Sequence, residues 1–138
     1  MTKFNPAWQL IRVQARKMPN YKDKIKHVMS YLEQNPNQHD WARVANWLKM
    51  TAAGYKKRMP EAALAFLNTR EEIFKNKDLY DLPKDNDSTL DDLTFEELQM
   101  VLNDLETRKY DFQFNKTPQA HIDFVEELKK HINSQQPA

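Results

Sequence analysis

A chain of 138 residues, 40% apolar and 30% charged, has room for one domain or two small ones and enough apolar content for a packed core. The absence of cysteine excludes disulfides, thiol nucleophiles and Cys-based metal sites, and a single glycine, Gly54, excludes glycine-rich phosphate loops and nucleophile elbows. The net charge of +1 hides an asymmetry: residues 1–60 carry twelve Lys/Arg against three acids (+9), and residues 61–138 carry nine against seventeen (−8).

In chain order, Asn5-Pro6 starts a first helix, with Trp8, Ile11, Ala15 and Met18 at helical spacing and Pro19 as its stop. Asn20 caps a second helix, with Tyr21, Ile25, Val28, Met29 and Leu32 on one face, ended by Asn35-Pro36-Asn37. Asp40 is expected to cap a third, with Trp41, Val44, Ala45 and Leu48 as its stripe. Thr51 then reads as the cap of a short helix through about Arg58. Pro60 opens a fifth, burying Ala63, Phe66, Leu67, Ile73 and Phe74.

Residues 77–93 are acidic, polar and broken by Pro83, and read as a linker or long surface loop. Thr94-Phe95-Glu96-Glu97 is a capping box opening a helix with Leu98, Val101, Leu102 and Leu105 inside. Tyr110, Phe112 and Phe114 alternate as an extended connection. Thr117-Pro118 starts a last helix burying Ile122, Val125, Leu128 and Ile132, with NSQQPA as a frayed tail. The expected fold is all-α with six to seven helices. A basic helical region (1–76) precedes the acidic linker, and an acidic αα-hairpin (94–138) follows it.

Residues 40–58, DWARVANWLKMTAAGYKKR, resemble the core of the helix-turn-helix DNA-binding superfamily. Val44-Ala45 match its aliphatic–alanine pair, Leu48 its angle-filling apolar residue, Met50-Thr51 its turn and cap, and Tyr55 its core anchor. The sequence departs from that pattern at Lys49, where the family often has glycine, and at Pro60, which shortens the second helix. The resemblance implies a helix lying in the major groove, with Thr51, Ala52, Ala53, Lys56 and Lys57 near base edges. Lys49, Lys56, Lys57 and Arg58 lie in or after the turn, with Lys56 and Lys57 within reach of bases or phosphates, and Lys22, Lys24, Lys26, Arg12, Arg16 and Lys17 are expected on the phosphate backbone.

No catalytic set, metal site or cofactor motif is expected. Asp85 to Glu96 has the spacing of a calcium loop but Leu90 in place of the required glycine. His27, His39, His121 and His131 are expected at the surface or as caps. No apolar run approaches the ~20 residues of a membrane span, and MTKFNPAWQL lacks a signal peptide's apolar stretch. A cytoplasmic protein without a membrane partner is therefore expected. Two functions remain open. The first is a small DNA-binding regulator of transcription that uses residues 94–133 as a homodimer or partner-docking surface. The second is a non-enzymatic adaptor or inhibitor that binds a protein through its acidic half and does not bind DNA.

Overall fold

The structure is a computed structural model that describes residues 5–75, 78–108 and 119–135. These residues form six α-helices and no strand: α1 (Pro6–Lys17), α2 (Tyr21–Gln34), α3 (Gln38–Tyr55), α4 (Pro60–Phe74), α5 (Phe95–Arg108) and α6 (Gln119–Gln135). Short 3-10 turns lie at Leu79–Asp81 and Leu90–Asp92. Among the described residues no helix is long and apolar enough to cross a membrane. The extended connection expected at Tyr110, Phe112 and Phe114 lies outside them.

The helix starts follow the capping residues. Trp8 N–H donates to Asn5 Oδ1 (3.1 Å), and Lys22 N–H donates to Asn20 Oδ1 (2.8 Å). Thr94 and Glu97 satisfy each other's backbone N–H groups at 3.2 and 2.9 Å. Pro60 occupies the first position of α4. The expected cap of α3 is displaced. Asn37, not Asp40, is the cap, and its Oδ1 accepts from Asp40 N–H at 2.8 Å.

The largest departure is at Met50-Thr51. No turn occurs there, because α3 runs unbroken for 18 residues. The apolar stripe explains this. Trp41, Val44, Ala45, Leu48, Ala52 and Tyr55 recur at helical spacing straight through the expected turn. Val44, Ala45, Leu48 and Ala52 are buried. With lysine where a turn glycine belongs, and two alanines following, nothing stops propagation. The two-helix arrangement that residues 40–58 would need is therefore not formed, and Thr51 sits in mid-helix. The chain reverses later, where Met59 N–H bonds Tyr55 O (2.9 Å) and Ala62 N–H bonds Met59 O (3.0 Å).

The chain divides into two compact units, residues 14–87 and residues 1–13 with 88–138. The cut between 13 and 14 runs through α1 and was not expected, whereas the cut between 87 and 88 falls within the segment expected as a linker at 77–93. That segment's acidic composition obscured its apolar anchors: Leu79 is buried in the first unit, and Leu90 and Leu93 in the second.

In the 14–87 unit α4 packs along α3. Phe66, with no exposed surface, is ringed by Tyr55 (5.5 Å), Trp47 (5.7 Å) and Tyr21 (6.4 Å). Trp41 Nε1 donates to Ile73 O (3.2 Å), and Arg70 Nε donates to Ala45 O (3.2 Å). Leu67 and Phe74, expected inside, are exposed at 42% and 48%, because Ala62, Ala63, Phe66 and Ile73 define the face turned to α3. Behind the start of α3, Asp40 is wholly buried. Its carboxylate accepts from Asn37 Nδ2 (2.7 Å), Arg43 Nη1 (2.8 Å), Tyr31 Oη (2.9 Å) and Asn86 Nδ2 (3.1 Å). Arg43 also grips both oxygens of Asp85 at 2.9 and 3.0 Å. Asp85, the first residue of the calcium-like spacing, is thus committed to an arginine.

In the other unit Leu10 joins Leu98, Val101, Leu105, Phe124, Leu128 and Ile132 in one cluster. The hairpin's apolar stripes are consumed there, and Ile122 is instead 38% exposed. His121, expected at the surface, is buried.

Two outcomes follow from this packing. Ala53→Pro would be tolerated in the first turn of a new helix. In the interior of α3 it should lower unfolding free energy by about 3 kcal/mol in denaturant titration. Unchanged stability would restore a break at 50–51. The second outcome concerns acid. The guanidinium of Arg43 holds the Asp85 carboxyl down at about 2, against partial burial, with His39 assisting. A depressed carboxyl contributes stability that is complete above its ordinary value of 3.8 and is lost as pH falls toward 2. Asp85→Asn should therefore cost about 1 kcal/mol at neutral pH, after solvent screening, and less than that by pH 2.

Candidate nucleic-acid interface

The expected DNA-contacting residues separate into those the fold leaves at the surface and those it uses internally. Arg12 belongs to the second group. Its guanidinium bonds Asp104 (3.0 Å) and Gln9 (2.6 Å) in the unit that contains the hairpin. Lys24 is also internal. Its ammonium bonds the carbonyls of Ala15 (2.8 Å) and Arg16 (3.1 Å), closing the C-terminal end of α1. Ala52 is 3% exposed and lies against the core. Thr51 caps no helix.

The remaining residues are exposed on the 14–87 unit. Lys49, Ala53 and Lys56 follow at helical spacing along α3 into the turn, with Lys57 and Arg58 immediately after. Arg16 and Lys17 end α1, while Lys22 and Lys26 lie one turn apart on α2. Among the described residues none of Lys17, Lys22, Lys26, Lys49, Lys56, Lys57 or Arg58 forms an ion pair.

Three elements bring part of this charge together. Burial lowers the Lys24 ammonium from its ordinary value, and the positive charges of Arg58 and Arg16 lower it further. The end of α1, the start of α2 and the turn after α3 therefore share one electrostatic environment. Arg58 is held in place by its guanidinium lying 4.4 Å from the Tyr55 ring centre. Beside it an open cleft of about 570 Å³ is lined by Pro19, Tyr21, Lys22, Tyr55, Met59 and Glu61. Asp23 is the other acid on this stretch of surface, exposed between Lys22 and Lys24 in sequence.

Tyr21 and Tyr55 were expected as core residues. Both are half-buried and line the cleft. Their spacing was correct for a buried stripe, and only the junction between two helices decides that each keeps an open side. The split of charge also changes with the fold. The 14–87 unit carries fourteen Lys/Arg and ten acids (+4), and the other unit carries seven and ten (−3). The asymmetry survives at about half the size suggested by cutting the chain at Pro60.

Known proteins offer no guide here. No family model matches the chain, no curated protein matches it, and no solved structure matches it.

Gly54 lies in the exposed last turn of α3, and an added Cβ would meet nothing within 4 Å. Gly54→Ala should therefore raise unfolding free energy by roughly 0.5–1 kcal/mol in chemical denaturation. A loss of stability would place an obstruction at that position.

Proposed function

We propose that this chain binds double-stranded DNA through the basic end of its 14–87 unit. The observation that carries the proposal is the set of exposed cations from α1, α2 and the end of α3 that form no ion pair among the described residues. Arg43 is paired to Asp85 and Asp40, and Arg12 to Asp104, so the fold uses carboxylates where it needs a cation fixed. It leaves Lys17, Lys22, Lys49, Lys56, Lys57 and Arg58 to solvent. The C-terminal dipoles of α1 and α3 offset part of their mutual repulsion. A polyphosphate backbone offsets the rest and releases counterions as it does so.

The mode differs from that of a separate recognition helix. The reading surface is the last turns of one long helix, with small Ala53 and Gly54 between Lys49 and Lys56, flanked by Lys22 and Arg16. Phosphate contacts dominate such a surface. A regulatory use would additionally need preference among duplex sequences, measurable by competition. The hairpin of α5 and α6 is not assigned to self-association, because its apolar stripes are already covered.

A second reading, a protein-binding adaptor, is favoured by the exposed acids Asp123, Glu126 and Glu127 on α6. Under it the full chain ignores DNA, and Glu126→Lys with Glu127→Lys abolishes partner binding.

DNA binding has a quantitative signature. Four to six phosphate contacts give a log–log salt slope of about −4 to −5. Lys56→Ala with Lys57→Ala should flatten that slope by about two and weaken all duplexes alike, with helical circular dichroism unchanged. A double variant that binds as tightly as the parent would remove the α3 end from the interface.

A further inference from the structure

We infer that the cleft between the start of α2 and the end of α3 seats an unpaired nucleobase, so that the protein favours DNA with a single-stranded end over blunt duplex. The inference rests on the DNA-binding reading above and names the form of DNA that the same site takes.

The cleft combines two aromatic rings, one cation and one acid in a set that suits a base better than a phosphate. Tyr21 and Tyr55 line it, each braced against the buried Phe66 ring. Bracing matters because a stacking platform that is already rigid loses little freedom when a base arrives. Arg58 rests on Tyr55 at 4.4 Å, and a guanidinium held against a ring extends the surface on which a base can stack.

Glu61 decides which part of a nucleotide enters. A phosphate inside the cleft would meet its carboxylate and be repelled. A base edge instead offers N–H donors, which a carboxylate accepts. The cations divide accordingly. Lys22 lines the cleft, and Lys56 and Lys57 are exposed just past Tyr55, placed for the phosphates on either side of the seated base. Bases within an intact duplex are stacked and paired, and cannot enter without an unpairing cost. An overhang enters freely, and stacking carries no sequence requirement.

The test compares a blunt duplex with the same duplex bearing a short overhang, by fluorescence anisotropy at matched salt. The wild-type chain should bind the overhang form about tenfold more tightly, the scale of one stacked base. Tyr55→Leu should erase that advantage, the two DNAs then binding alike, and Tyr55→Phe should retain it. Because Tyr55 also touches Phe66, a second measurement uses the unaltered protein. A 2-aminopurine placed in the overhang should be quenched on binding. Equal affinity for both DNAs, an advantage that survives Tyr55→Leu, or an unquenched 2-aminopurine overturns the inference and leaves the duplex reading standing. Failure to bind either DNA at low salt overturns both.

Discussion

The buried carboxylate of Asp40 is the constraint on which the 14–87 unit depends. A charge without solvent contact is tolerated only when its lone pairs are all engaged. Asp40 meets that condition by drawing partners from four places: the cap of its own helix (Asn37), the next turn (Arg43), α2 (Tyr31) and the segment after Pro83 (Asn86). Burial, together with proximity to that carboxylate, raises the Tyr31 hydroxyl well above its ordinary value, so it stays a donor. One ionised group thereby fixes where α3 starts, how α2 lies beside it, and where the acidic segment is tied down. Gln38 N–H and His39 N–H, which donate to Pro83 O (2.9 Å) and Lys84 O (2.7 Å), extend the same tether through the backbone.

With its start pinned, α3 has one register available. The stripe from Trp41 to Tyr55 meets α4 along its length, and Phe66 collects the aromatic side chains at the far end. The basic surface follows from that register. Helical periodicity puts Lys49, and Lys56 just past the end of α3, to one side of the stripe of Val44, Leu48 and Ala52, about a quarter-turn away. Tyr55, at the margin of the stripe, is half covered by Phe66 and half open to the cleft. A break at Met50-Thr51 would have rotated all of these positions relative to one another.

Charge pairing separates Arg12 and Arg43 from Arg58 and most of the lysines. Arg43 forks both oxygens of Asp85 and reaches Asp40, and Arg12 bridges Asp104 and Gln9, which suits a planar guanidinium. Lys24, the one lysine buried among the described residues, points its ammonium at helix carbonyls. The lysines left over are compact, hydrated charges on flexible stems, suited to contacting phosphates without demanding geometry. The fold therefore spends its geometric specificity on internal pairs and leaves diffuse positive charge outside.

Much of this was legible in the residues alone. Helix starts at Pro6, Tyr21, Pro60 and Phe95 follow from Asn and Thr caps and from prolines at first positions, because capping is a local interaction that needs no tertiary partner. The all-α class follows from periodicity and from the near-absence of glycine. Three things were not legible. Continuity of α3 hung on whether Ala52 would be core or surface, and a small apolar residue fits both. The roles of Arg12 and Lys24 depended on Asp104, 92 residues away, and on carbonyls of a different helix. The acidic segment at 77–93 hid Leu79, Leu90 and Leu93 among polar neighbours. By itself, then, the sequence determined which segments are helical and that one region is rich in cations, since both are properties of near neighbours. Only the tertiary structure decided which cations are committed, that residues 1–13 part from the rest of the basic region, and that Tyr21 and Tyr55 share a cleft. Those outcomes rest on contacts between residues far apart in the chain, and local chemistry does not encode them.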